Sequence, residues 1–432
     1  MPSEPRIKIR QRLPIIGLLL FLALSLVLPS RIWMTLLIGL GGVFIISFIW
    51  ARQLSKGLRG SRHLRFGWVA VGDRLSEEFE IRNECSLPAL WVEVIDHSNV
   101  PGYDVAVVRS VREHGTEHWR QFAICHQRGQ YRLGPWELRS ADPFGIFRVS
   151  VPCEQHNDIV IHPPVHTQIP IPLPAGASSG RVRARARSWQ ATINAATVRE
   201  YQLSDPLPWI HWPTTARREE LYSRQFDLDA AGDIWLLLDL RADVQLGEGL
   251  DGTEEHAVLL AAALAAQGID QNRPVGLASY GQEPRVAPPG RGQGQQWNLL
   301  HSLALVRADG ETDLSLALED ISQLIKQGSA LVIITPAQDA GWLPNLLKLA
   351  QRGILCHVSL LDRETFKDKR EPGAGTSRAL HEAIRLLGVD CNLIRRGDVG
   401  QPVELQKRQG FWEFKVTGTG KVVAVQSPFD RS

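Results

Sequence analysis

Two apolar runs close to the N-terminus constrain this chain more than any other feature. Leu13–Leu28 is apolar apart from Ser25, with Pro14 near its start, and Ile32–Trp50 carries no charge. Crossing the hydrocarbon core of a bilayer takes about 20 helical residues, and each run is close to that length. Pro29-Ser30-Arg31 breaks the chain tightly between them, with no small-residue cleavage site of the kind a signal peptide carries. The runs therefore predict a transmembrane helical hairpin over residues 1–60. Arg6, Lys8, Arg10 and Arg12 precede it, Arg52, Lys56, Arg59, Arg62 and Arg65 follow it, and only Arg31 sits in the turn. Basic flanks stay in the cytoplasm, so both ends, and the soluble domains, are expected on the cytoplasmic side of an inner (cytoplasmic) membrane. Neither run holds an ionisable residue, which marks an anchor rather than a transport path.

A chain of 432 residues has room for two or three domains. With 48 Lys+Arg against 46 Asp+Glu the net charge is +2, so no overall field recruits nucleic acid. The five cysteines, at 85, 125, 153, 356 and 391, form no CxxC and read as buried thiols in a reducing compartment. Neither HExxH nor Gly-x-Ser-x-Gly occurs.

Residues 61–165 alternate apolar and polar in short segments: Leu75–Arg82, Leu90–Ile95, Asp104–Val108, Trp119–Ile124, Tyr131–Leu138 and Ile159–His162. Gly72-Asp73, Pro101-Gly102, Arg128-Gly129 and Gly134-Pro135 punctuate them, which predicts a small antiparallel β-sandwich-like domain. Asp142-Pro143-Phe144-Gly145 reads as a structural turn, Pro fixing φ and Gly allowing the bend. Residues 166–230 begin as a proline-rich linker. There Arg181, Arg183, Arg185 and Arg187 point one way if extended, toward solvent, an acidic partner or anionic lipid.

The linker ends in Val198–Asp227, too irregular for one helix or strand and too aromatic for disorder. It is expected to be an ordered belt packed on the following domain, with Tyr201, Trp209, Trp212 and Phe226 as anchors. From 231 to 432 strands and helices alternate. Strands are expected at Ile234–Asp239, Val275–Tyr280, Ala330–Thr335, Ile354–Leu360 and Val389–Ile394. Helices are expected at Glu254–Gln267, Gln296–Val306, Leu314–Lys326, Leu343–Gln351 and Ser377–Leu387. The strands are apolar throughout, as parallel strands covered on both faces must be, so a doubly wound α/β sheet is predicted. Phe411–Val425 is β-rich and reads as a hairpin or an added edge.

The belt carries Arg199-Glu200-Tyr201, Asp205, Ile210-His211-Trp212 and Ala216-Arg217. At this spacing it resembles the signature of the bacterial domain-of-unknown-function family number 58 (DUF 58), departing from it at Ser204, Pro208 and Pro213. The region Arg128-Gly129-Gln130-Tyr131 to Gly145 also resembles the family's preceding β-region. The resemblance implies a C-terminal domain like von Willebrand factor A, and the whole reads as a multidomain α+β protein. In that superfamily Asp-x-Ser-x-Ser, a Thr and an Asp bind a magnesium-type ion. Asp239 and Thr312 match two of those positions, but Arg241 and Asp243 stand for the serines and Thr335-Pro336 for the Asp. A metal such as Mg at Asp239, Asp243 and Thr312 is thus read as degenerate, with Arg241 supplying charge from within; no cofactor is expected.

The resemblance further implies a protein-binding scaffold or adaptor, not an enzyme. Its expected partners are a MoxR-type AAA+ ATPase and a transglutaminase-like membrane protein, with envelope or membrane-complex targets. Arg199, Glu200, Tyr201, Asp205, Trp212 and Arg217 are the expected contact residues, with the loops at Asp239 and Thr312. One alternative is a metal-dependent hydrolase at the strand ends using Asp239, Asp243, Asp313 and His211. Another is an extracytoplasmic metal-dependent ligand-binding module.

Overall fold

The computed structural model describes residues 5–64, 68–103, 105–166, 173, 195–201, 210–226, 232–247, 249–366, 376–400, 413–416 and 422–426. The protein is mixed α and β and divides into two compact units, Met1–Pro164 with Pro402–Ser432, and Val165–Gln401.

The first unit opens with strand β1 (Arg6–Ile9) and helices α1 (Leu13–Val27) and α2 (Arg31–Gly57). Pro14 falls in the first turn of α1, where no amide partner is lost, and Ser30 caps α2, its Oγ accepting from the Ile32 amide at 3.3 Å. The two helices touch through Phe21 and Trp33, ring centroids 6.1 Å apart. Among the described residues α2 alone is long and apolar enough to cross a membrane; α1 is a shorter apolar helix.

Ten strands follow: β2 (Leu58–Leu64), β3 (Trp68–Ala70), β4 (Arg74–Asn83), β5 (Ala89–Asp96), β6 (Val107–Val111), β7 (Thr116–Ile124), β8 (Gly129–Leu133), β9 (Trp136–Ala141), β10 (Phe147–Cys153) and β11 (Asn157–His162). They form sheets in the orders β1-β10-β9-β5-β6, β2-β4-β7 and β3-β11-β8. All pairings are antiparallel except β3 with β11. The segment Tyr131–Leu138 is therefore not one strand: Gly134, at φ +82°, and Pro135 divide it into β8 and β9.

Phe79 and Ile81 of β4, Val92 and Val94 of β5, Trp136 and Leu138 of β9 and Val149 of β10 share one core. The last turns of α2 enter the same core through Ala51 and Leu54, while Phe147 packs edge-on against Phe44 and Phe48 of α2. Deeper in the unit Arg62 is buried with two carboxylates. It binds Glu77 through two hydrogen bonds (2.9 and 2.7 Å), reaches Asp96 at 3.0 Å and lies against the Tyr103 ring; the Tyr103 hydroxyl donates to Glu77. Burial and the Glu77 carboxylate push the Tyr103 phenol up, so it stays a donor.

In the second unit β12 (Ala195–Glu200) pairs antiparallel with β13 (Tyr222–Phe226) around the short helix α3 (Trp212–Arg218). Strand β14 (Ile234–Asp239) starts a six-stranded sheet. It continues through α4 (Thr253–Asp270), β15 (Val275–Tyr280), β16 (Pro284–Gly290), α5 (Gly292–Leu305), α6 (Leu314–Leu324), β17 (Ala330–Thr335), α7 (Leu343–Gln351), β18 (Leu355–Leu361), α8 (Thr376–Leu386) and β19 (Asp390–Ile394). Strand order is β16-β15-β14-β17-β18-β19, all parallel except the β16 edge. Alternate residues face opposite ways: Leu236, Leu238 and Val332 join Leu260 and Leu303 of α4 and α5, whereas Leu237, Leu331 and Ile333 join Leu318, Leu346 and Ile384 of α6, α7 and α8. Helices thus cover both faces, and β14, β15 and β17 are buried along their whole length. Near the C-terminus β20 (Glu413–Val416) pairs antiparallel with β21 (Val422–Gln426).

Two predictions follow from the cores. Arg62→Met removes the cation from Glu77 and Asp96, and losing one partner of a buried ion pair costs about 3–5 kcal/mol; thermal unfolding in detergent should show a clearly lower midpoint, and an unchanged midpoint would count against the network. In the second unit burial lowers the pKa of His256 and His357 below 6.5. The unfolded chain then binds protons that the folded one refuses, so stability is present above that value and falls as pH drops through it. Urea midpoints should decline from about pH 7 to about pH 5, and the His256→Gln/His357→Gln double variant should flatten that slope.

Candidate functional site

The carboxyl ends of the parallel strands converge on Arg241. Asp239 closes β14 and is 4 % exposed. Its Oδ2 accepts from the Thr335 hydroxyl at the end of β17 (2.6 Å), and its Oδ1 accepts from the Arg241 amide (3.2 Å). Burial raises the Asp239 pKa against the pull of Thr335 and the Arg241 amide. Beyond Asp239 the chain bridges to the loop before α6: the Gly310 amide donates to the Leu240 carbonyl (3.1 Å) and the Ala242 amide to the Gly310 carbonyl (2.9 Å). A side chain at 310 would collide with the Tyr280 carbonyl and the Gly281 backbone, so glycine is required there.

This bridge delivers the Arg241 guanidinium among three loops. Its Nε lies 2.6 Å from Asp243, its Nη1 3.2 Å from Asp313 and its Nη2 3.2 Å from Asp339. Two of these carboxylates are held in turn. Asp313 caps α6, accepting from the Ser315 amide at 3.1 Å, and Asp339 accepts from the Gly341 amide at 3.3 Å. Burial alone would lower the Arg241 pKa, but Asp243, Asp239, Asp313 and Asp339 outweigh it and raise it. The guanidinium therefore stays charged and clips the ends of β14 and β17 to the loop before α6.

A hard divalent ion needs converging oxygens with no competing cation. Here Arg241 takes three carboxylates and Thr335 with the Arg241 amide takes the fourth, so the residues present do not fit such an ion. Among the described residues no group of three or more His, Cys, Asp or Glu is arranged to hold a metal. Thr312 is half-buried one residue before Asp313. An adjoining cleft lined by Ser279, Gln282, Arg285, Arg307 and Asp309 measures about 110 Å³, below the roughly 300 Å³ at which small-molecule sites usually begin. The roles of Asp313 and Asp339 as partners of Arg241 cross 72 and 98 residues of sequence, and only the sheet order brings them together.

The belt residues form a second, separate arrangement. The His211 ring caps α3, its Nδ1 2.8 Å from the Thr214 hydroxyl. Tyr201 is half-buried, its amide donating to the Leu221 carbonyl (2.8 Å), and Glu200 and Arg217 are exposed. Trp212 is 64 % exposed, so it does not anchor the belt as expected: α3 turns its first residue outward, and Ile210 and Tyr222 are the buried apolar groups instead. Arg199 lies on β12, but its side chain, Asp205, Trp209 and the Phe226 side chain fall outside the described residues.

Arg241→Ser should expose Asp243, Asp313 and Asp339 to one another and give a magnesium-dependent rise in melting temperature that the parent protein lacks; an equal response in both proteins would refute the clip.

Residues 197–383 match the model of a family described as "Protein of unknown function DUF58". The uncharacterized protein YeaD of Bacillus subtilis is 28% identical over 142 residues, covering 33% of this chain and 34% of the relative. The uncharacterized protein Rv1480 of Mycobacterium tuberculosis is 25% identical over 169 residues, 38% of this chain and 53% of the relative. The chain thus spans a third to a half of the curated relatives it matches. Among solved structures, a von Willebrand factor type A protein from Catenulispora acidiphila aligns over 38% of each chain with 12% identity and a TM-score of 0.25.

Proposed function

Starting from a DUF58 region over residues 197–383, we propose that this chain is a membrane-anchored scaffold whose second unit binds a protein partner. The observation that carries the reading is Arg241, which holds three loops in place with its own charge while the side chains of Asp243, Asp313 and Asp339 remain exposed at the surface. Asp243 is the most exposed of them. The result is a fixed, acidic rim suited to basic and hydrogen-bonding groups of another protein. In the hydrolase alternative, Asp243 and Asp313 would act on substrate; here both are occupied by Arg241, and His211 by its helix cap.

In this reading the second unit is a doubly wound α/β sheet, and the anchor is a two-span hairpin within the N-terminal unit. Its support is that β1, before α1, and β2, after α2, belong to one folded unit, β1 being paired with β10. Two ends on one side require an even number of crossings. The basic flanks favour the cytoplasm for that side. The partner implied by the family resemblance is a MoxR-type AAA+ ATPase, with a transglutaminase-like membrane protein as a further candidate.

The test is affinity capture of the detergent-solubilised full-length protein with and without ATP, read by mass spectrometry. An AAA+ ATPase recovered in a nucleotide-dependent way, and reduced at least several-fold by Trp212→Ala or Arg241→Ala, is the expected result. Absence of any ATPase in every nucleotide condition, from folded membrane-inserted protein, would overturn it in favour of the hydrolase reading.

A further inference from the structure

The turn Asp142–Ile146 presents an aromatic side chain that the turn itself does not need. The buried Asp142 carboxylate does the structural work, its Oδ2 accepting from the Phe144 amide (2.9 Å) and its Oδ1 from the Phe147 amide (2.6 Å). The Gly145 amide closes the turn onto the Asp142 carbonyl at 3.0 Å, with Gly145 at φ +69°. Any residue but proline at 144 satisfies these bonds, since only its backbone takes part. Yet the position holds Phe144, 54 % exposed on a rigid tip.

Its place in the unit gives that exposure a meaning. The next carbonyl, of Ile146, accepts from the Arg10 amide (2.7 Å) and the Gln11 amide (3.4 Å), the residues that lead into α1. Phe147 lies against Phe44 and Phe48 of α2. Across the same end of the five-stranded sheet, the Trp50 indole donates to the Pro88 carbonyl (3.2 Å), and Leu90 stands exposed just beyond it. The strand register places them at a shared end: Ile9 pairs with Phe147, Arg148 with Ala141, and Val92, two residues after Leu90 in β5, with Ser140. Arg10 and Arg12 are exposed just before α1, and Arg52 is exposed one turn beyond Phe48.

We propose that Phe144 and Leu90 are a bilayer-contact rim, seated in the headgroup–acyl boundary of an anionic membrane at the foot of the α1–α2 pair. The inference rests on the reading of these helices as membrane-inserted. It is continuous with their lipid-facing surface, and it matches the basic side chains at the same depth, which suit anionic headgroups. Apolar side chains that enter this boundary gain burial while the backbone of the turn stays hydrated. The rim would fix the tilt of the β-unit against the membrane plane.

Nitroxide labels test this on the full-length protein in phosphatidylethanolamine–phosphatidylglycerol vesicles. Labels at Phe144→Cys, Leu19→Cys and Phe122→Cys are made in a Cys356→Ser background, because the other native thiols are buried. Leu19 reports on α1 itself. Phe122 is an exposed aromatic at the far end of the same unit, since Ile124 pairs with Arg74 whereas Thr116 pairs with Arg82 near the helices. Collision with oxygen should exceed collision with a polar nickel chelate at 144 and 19, and the order should reverse at 122. A label at 144 that behaves like 122 while 19 remains lipid-exposed overturns the rim and leaves the hairpin standing. A label at 144 shielded from both reagents assigns the residue to a protein contact and overturns the lipid assignment. Loss of the oxygen preference at 19 strikes the membrane reading itself, and the rim with it.

Discussion

Strand β1 is four residues long, yet its pairing with β10 fixes where both ends of the apolar helices lie. Arg10 and Gln11, just before α1, are bonded to Ile146, and α2 runs directly into β2. The helices are thus a loop thrown out from one β-unit and closed at its base by backbone hydrogen bonds. That closure is reinforced by packing: Ala51 and Leu54 are core residues of the β-unit, so the last turns of α2 cannot leave without opening it. Under the proposed anchoring, β1 and β10 stay paired only if the chain returns to the side it left, which is the ground for proposing a hairpin.

A comparable economy governs the strand ends of the second unit. Parallel strands deliver their carboxyl-end loops to one side of the sheet, where acidic side chains would repel one another. A divalent ion solves that problem with a ligand taken from solution; Arg241 solves it with a tethered guanidinium whose planar fork reaches Asp243, Asp313 and Asp339 together. The tethered solution is permanent. It trades a site that can open to a ligand for a surface whose shape does not depend on one, which is the ground for proposing the rim as a recognition face.

Much of this was legible in the sequence. Uniform burial of both faces made β14, β15, β17 and β18 readable as apolar runs, and the expected helices fall within a few residues of α4 to α8. Three elements were not. Arg6-Ile7-Lys8-Ile9 looks like a basic flank until β10 supplies its partner; β16 hides behind Pro284, Pro288 and Pro289, tolerated because it is an edge strand; and α3 is a single capped helix inside an irregular segment. Arg241 does supply charge from within, and its partners are set by the fold rather than by sequence proximity. Asp239, the neighbour in sequence, offers a carboxylate already bound to Thr335, whereas Asp339 becomes a partner only through the β14–β17 pairing.

Helix length ties the anchor to the rim. The 15 residues of α1 span about 22 Å at 1.5 Å per residue, short of the roughly 30 Å of a hydrocarbon core. α2 is longer, but its final turns are committed to the sandwich through Ser47, Ala51 and Leu54. In the proposed two-span anchor, a hairpin this short would thin the bilayer or draw its base inward. Drawing the base inward brings the Asp142–Ile146 turn to the headgroup layer, where a polar tip would resist and an aromatic one does not. Under the proposal, Phe144 on a carboxylate-braced turn is the side chain that would let a short hairpin sit deep, with Arg10, Arg12 and Arg52 at the level where it would stop.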